Sequence, residues 1–82
     1  MIVSTKGRYA LRVMVYFVLH GDAGYIPLKE IAEAEGISQK YLESIMTTLS
    51  KADFVDAVHG KGGGYRLNRK PSEYTVGSIL KL

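Results

Sequence analysis

Cysteine is absent from the sequence, which excludes a disulfide framework, a thiolate nucleophile and any cysteine-held metal or cluster within these residues. Histidine occurs only at positions 20 and 59, on segments that read as different elements, so no converging metal ligands are expected. No nucleophile, base and orienting group can be assembled into one set, and an enzyme is not expected. No apolar run approaches a membrane span, and no charged, apolar, then small-residue leader is visible. A soluble cytoplasmic protein without a membrane partner is the expectation. Internal repeats and low-complexity tracts are also missing. What remains is an ordinary globular composition, 46 % hydrophobic over 82 residues, which argues against disorder and for one small domain.

Charge is sparse but unevenly placed. Residues 1–20 carry Lys6, Arg8 and Arg12 and no acid; residues 21–56 carry seven acids against three lysines; residues 57–82 carry five bases against Glu73 alone. A fold that brings the two basic ends to one side has the polarised field of a nucleic-acid binder. A solvated surface of uneven charge is the alternative.

The centre of the chain, Leu28 to Asp53, reads as two short helices joined by a tight turn. Leu28, Ile31 and Ala32 give the first a buried stripe running to about Glu35, and Gly36 stands where the helix stops in a left-handed conformation. Ser38 is a natural N-cap for the second helix, with Ile37 and Leu42 placed as a hydrophobic staple. Leu42, Ile45, Met46 and Leu49 form its buried stripe. The opposite face carries Gln39, Lys40, Glu43, Ser44 and Thr47, all hydrogen-bonding and none needed for packing. This is a helix-turn-helix whose second helix is suited to reading a polar surface.

Before it, Ser4 or Thr5 caps an opening helix that runs to about His20 and is apolar nearly all round, either central to the core or shared with a partner subunit. Val13, Met14 and Phe17 are expected in the core. Lys6 and Arg8 lie in its first turn, where cations are unfavourable without a nearby anion, and are phosphate candidates. Gly21–Gly24 reads as a turn, and Tyr25-Ile26 as a short strand. Pro27 occupies a capping position without a hydroxyl, leaving Glu30 to face the helix N-terminus. After the motif, strands Phe54–His59 and Tyr65–Asn68 flank the glycine-rich turn 60–64, a hairpin in the position of a wing. That turn lacks the residue order of a phosphate-binding loop. Thr75 caps the start of a last helix that breaks off, so a longer parent chain is expected. The fold expected is mainly α (α+β): a winged helix-turn-helix of three helices, a two-stranded wing and the start of a C-terminal helix, filling residues 1–82 as one domain.

The segments STKGRYALRVM, PLKEIAEAEGISQKYLESI, GKGGGYRL and TVGSIL together resemble, in order and spacing, the bacterial regulators of the IscR/CymR type. The resemblance implies a winged-helix transcription factor that binds palindromic double-stranded operators as a homodimer. It also implies a long dimerisation helix and, in some members, a cysteine-bearing sensor loop. Neither lies in these residues, so no cofactor is expected here and an iron–sulfur cluster only through a C-terminal region.

Carried over by position, the base-reading helix runs from Ser38 to Thr47, with Ser38, Tyr41 and Glu43 on contact positions. Physically, Ser38 can donate to a phosphate, Gln39 can bond adenine, and Glu43 can accept from cytosine N4. The alternatives are pairing of Glu43 with Thr47 or Lys40, and packing of Tyr41 on the first motif helix. In the wing, the bare backbone of Gly60, Gly62 and Gly63 together with Lys61 can approach the sugar–phosphate chain, with His59 at the mouth of the minor groove. Family members often carry arginine where His59 stands, which bears on minor-groove readout. Arg66 and Arg69 are phosphate candidates. A winged-helix protein–protein module without DNA binding is the competing function.

Overall fold

Ser4 starts the first helix. Its hydroxyl accepts the Gly7 amide at 3.0 Å, and α1 runs over Thr5–His20. The structure, a computed structural model, describes residues 4–21 and 24–80. Along α1, Ala10, Val13, Met14 and Phe17 are buried, while Val15, Val18 and Leu19 on the other side are exposed. The helix thus forms part of the core and also presents an apolar face outward.

Next come α2 (Leu28–Glu35) and α3 (Gln39–Lys51). Gly36 ends α2 in the left-handed region, φ 66°, and its amide bonds back to Ala32; a side chain there would meet the Cβ penalty that glycine escapes. Ser38 then caps α3, its Oγ accepting the Tyr41 amide at 3.0 Å. Leu42, Ile45, Met46 and Leu49 of α3 and Ile31 of α2 are fully enclosed with Val13 and Phe17 of α1. Truncating one such side chain to alanine costs about 2–5 kcal/mol.

Asp53 leaves α3 with φ 62°, a region that aspartate tolerates better than most residues. Its carbonyl accepts from Asn68 Nδ2 at 2.8 Å and from Arg69 at 2.7 Å. The chain then forms β1 (Val55–Val58) and β2 (Gly64–Leu67), antiparallel with Val55 opposite Leu67 and Val58 opposite Gly64. β1 is one residue shorter at each end than the expected Phe54–His59, and β2 keeps the expected four residues but lies one position earlier than Tyr65–Asn68. Ile26 adds a bridge to the free edge of β2: its amide donates to the Tyr65 carbonyl at 2.8 Å and the reverse bond is 2.9 Å. The approach is close enough that a Cβ on Gly64 would lie 2.3 Å from the Ile26 carbonyl oxygen. Tyr25-Ile26 is therefore a single bridge.

Residues 71–73 make one 3₁₀ turn, with Glu73 accepting the Lys70 amide at 2.8 Å. Thr75 then accepts the Ser78 amide at 3.1 Å and opens α4 (Val76–Leu80). Among the described residues, four helices and a two-stranded wing with one bridging residue make the expected winged helix-turn-helix.

Candidate nucleic-acid interface

The buried stripe of α3 leaves Lys40, Ser44, Thr47 and Lys51 along the line farthest from the core, spaced i, i+4, i+7, i+11, and all four are exposed. Gln39 and Glu43 are exposed on the flank of that line. Lys51 was not among the residues singled out from sequence, although the same spacing that marks Ser44 and Thr47 reaches it.

The hydroxyls on this face are turned back on the helix. Ser44 Oγ donates to the Tyr41 carbonyl at 2.8 Å, and Thr47 Oγ1 to the Glu43 carbonyl at 2.8 Å. Thr47 therefore bonds the Glu43 backbone and not its carboxylate. Among the described residues that carboxylate has neither a hydrogen bond nor an ion pair, so the pairing with Thr47 or Lys40 is not formed. Tyr41 packs edge to face on Tyr9 of α1, ring centroids 5.7 Å apart, and lies against the buried core.

Glu43 and Thr47 form one wall of an open hollow of ≈ 490 Å³, with Val58, His59, Gly60 and Gly63 of the wing opposite. The wing turn is closed by the Gly63 amide on the Gly60 carbonyl at 3.0 Å, leaving Lys61 and Gly62 exposed at its tip. Lys6 and Arg8 lie within one helical turn of Tyr9, the α1 residue that meets Tyr41 of α3, and the first turn of α1 contains no acid.

Arg66 and Arg69 are elsewhere. Arg66 projects from the far face of the hairpin, its guanidinium 4.6 Å from the Tyr25 ring centroid and Asp56 opposite it in register. It lines a separate hollow with Phe17 and Val18 of α1. Arg69 is held by the Asp53 carbonyl and lies over the rings of Phe54 and Tyr74. The structure brings neither to α3.

Two of the three acids of α2 are engaged by α1. Glu35 accepts from Arg12 Nε at 3.0 Å, and Glu30, instead of capping its own helix, accepts the Tyr16 hydroxyl at 2.8 Å. That carboxylate, followed by burial, raises the Tyr16 phenol above its ordinary value of 10.0. No group of three or more His, Asp or Glu side chains among the described residues could hold a metal ion. With no cysteine in the chain, these residues do not offer the ligands of an iron–sulfur cluster.

Residues 3–82 match the profile of Rrf2, an iron-dependent transcriptional regulator. The chain belongs to the Rrf2 family. Over 80 residues it is 46 % identical to the HTH-type transcriptional regulator IscR of Aliivibrio salmonicida, covering 98 % of this chain and 48 % of that protein. Identity to IscR of Escherichia coli O1:K1 is 41 %, covering 98 % and 49 %. Among solved structures, the T. potens IscR superposes with a TM-score of 0.89 at 42 % identity, over 99 % of this chain and 59 % of that one. CymR, the global cysteine regulator of B. subtilis, gives 0.92 at 36 % identity, over 99 % and 63 %. This Rrf2-family chain thus spans about half the length of the curated relatives it matches. Those relatives are transcriptional regulators, and the chain is not an enzyme.

Proposed function

We propose that this Rrf2-family chain binds double-stranded DNA sequence-specifically, as the operator-reading part of a cytoplasmic bacterial transcriptional regulator. The observation that carries the reading is the outward face of α3. Lys40, Glu43, Ser44, Thr47 and Lys51 are exposed there and hold no tertiary contact that the fold needs, while the wing stands beside them across an open hollow. An α-helix fits the major groove. In this arrangement α3 lies in that groove, and Lys61 with the bare backbone of the wing meets the flanking sugar–phosphate chain. Lys6, Arg8 and the Ser38 end of α3 supply phosphate contacts, and Lys51 extends the grip at the other end of the helix.

Dimeric binding to a palindrome is part of the proposal, with half-sites about one helical turn apart. It is supported by the apolar face that α1 leaves uncovered, where Leu19 is 72 % exposed and Val15 and Val18 about half exposed.

A salt titration of binding tests the reading. Several phosphate contacts make log K fall linearly with log salt, with a slope of about −0.9 per contact. A protein that binds no duplex at low salt would refute DNA binding and favour the protein–protein module.

A further inference from the structure

Resting on the DNA-binding reading, we infer that Ser44 and Thr47 are specificity residues that recognise hydrogen-bond donors in the major groove, the exocyclic amino groups at adenine N6 or cytosine N4, and not the acceptor atoms of guanine or thymine.

A free serine or threonine hydroxyl has one proton and two lone pairs and suits either partner, so these residues taken alone discriminate little. Here both protons are already engaged. Ser44 donates to the carbonyl three residues back and Thr47 to the carbonyl four residues back, each at 2.8 Å. The oxygens remain exposed at the centre of the outward face, with their lone pairs available. To donate to a base, either hydroxyl must first release its backbone carbonyl. To accept from an amino group, it releases nothing, and the bond it already makes polarises the oxygen toward accepting.

The neighbouring charges reinforce this polarity. Glu43, one residue before Ser44, carries an unpartnered carboxylate that only accepts. Donors on the same line are restricted to its ends, Lys40 and Lys51, where a phosphate is the natural partner. The middle of α3 is therefore an acceptor surface framed by two donors. Every base pair has one amino group in the major groove, and its lateral position differs between the four pairs. An acceptor at a fixed point on the helix thus distinguishes pairs by where the amino group falls.

The test compares duplexes from which single groups have been deleted, using the protein's best-bound sequence from a randomised pool. Replacing adenine by purine, or cytosine by 2-pyrimidinone, removes the amino group; 7-deaza-purines remove the N7 acceptor. Amino deletion at one or two pairs should weaken binding by wild type about three- to tenfold. That penalty should vanish in Ser44→Ala or Thr47→Val and persist in Thr47→Ser, which retains the oxygen. The 7-deaza penalties should be equal in wild type and variants. A 7-deaza penalty removed by either variant, or amino-deletion penalties unchanged in both, would overturn the inference while leaving DNA binding intact. Failure of wild type to bind any duplex would overturn both readings. Far-ultraviolet circular dichroism confirms that each variant keeps its helices.

Discussion

Tyr9 of α1 meets Tyr41 of α3 edge to face, with ring centroids 5.7 Å apart and planes at 90°. The pair couples the basic opening turn to the start of the helix proposed to read DNA. It also gives Tyr41 two separable duties. The ring joins α1 to α3, while its hydroxyl, without a hydrogen bond among the described residues, is available to a phosphate. Tyr41→Phe should hold stability within about 0.5 kcal/mol and weaken DNA binding. Tyr41→Ala should additionally destabilise the fold by about 1 kcal/mol or more, since an aromatic pair adds to simple burial. Denaturant melts beside binding isotherms separate the two. Unchanged affinity in Tyr41→Phe would confine Tyr41 to packing.

Glu43 lies on the wing-facing flank of α3, its carboxylate without a partner among the described residues. A carboxylate near phosphates weakens binding unless it finds a base-edge donor such as cytosine N4. Glu43→Ala should relax base preference while affinity for unrelated duplex holds or rises. Competition between the preferred and a scrambled site measures both, and an equal loss on the two sequences would show that Glu43 acts on the fold.

His59 faces Glu43 and Thr47 across the hollow. If His59 contacts the wing-side DNA backbone, His59→Ala should weaken binding about three- to tenfold. Unchanged affinity in the variant would remove His59 from the interface.

Tyr74 ties the C-terminal segment to the start of β1. Its hydroxyl donates to the Phe54 carbonyl at 2.7 Å and accepts the Asn68 amide at 3.2 Å. Burial raises this phenol above its ordinary value of 10.0, partly offset by the Asn68 and Arg69 backbone bonds. A phenol whose pKa is raised on folding stabilises the native state fully below the unfolded value and loses that contribution as pH rises through the folded one. Thermal stability should thus fall above about pH 10, and Tyr16, raised by Glu30, contributes in the same direction. Tyr74→Phe should cost about 0.5–1.5 kcal/mol at neutral pH and make the alkaline decline shallower. Melting curves from pH 7 to about 11 provide the check, and a decline as steep as that of wild type would assign it to other groups.

What could be read without coordinates was local. The Ser4 and Ser38 caps, the Gly36 stop and the stripe Leu42, Ile45, Met46, Leu49 depend on neighbours three to seven residues away, within reach of helical periodicity. The glycine-rich turn likewise marked the wing, although pairing shortened the first strand and moved the second one residue toward the turn. What could not be read was where charged and phenolic groups find partners far along the chain. Glu30 and Glu35 looked like a diffuse acid block until Tyr16, 14 residues away, and Arg12, 23 residues away, were brought to them. Arg66 and Arg69 are phosphate candidates by residue type alone, whereas hairpin register sets the first beside Tyr25 and the left-handed Asp53 holds the second. Periodicity assigns a residue to a face of its own element. Only the packing of elements decides what that face meets, and for Ser44 and Thr47 the direction of two hydroxyl protons decides what it can recognise.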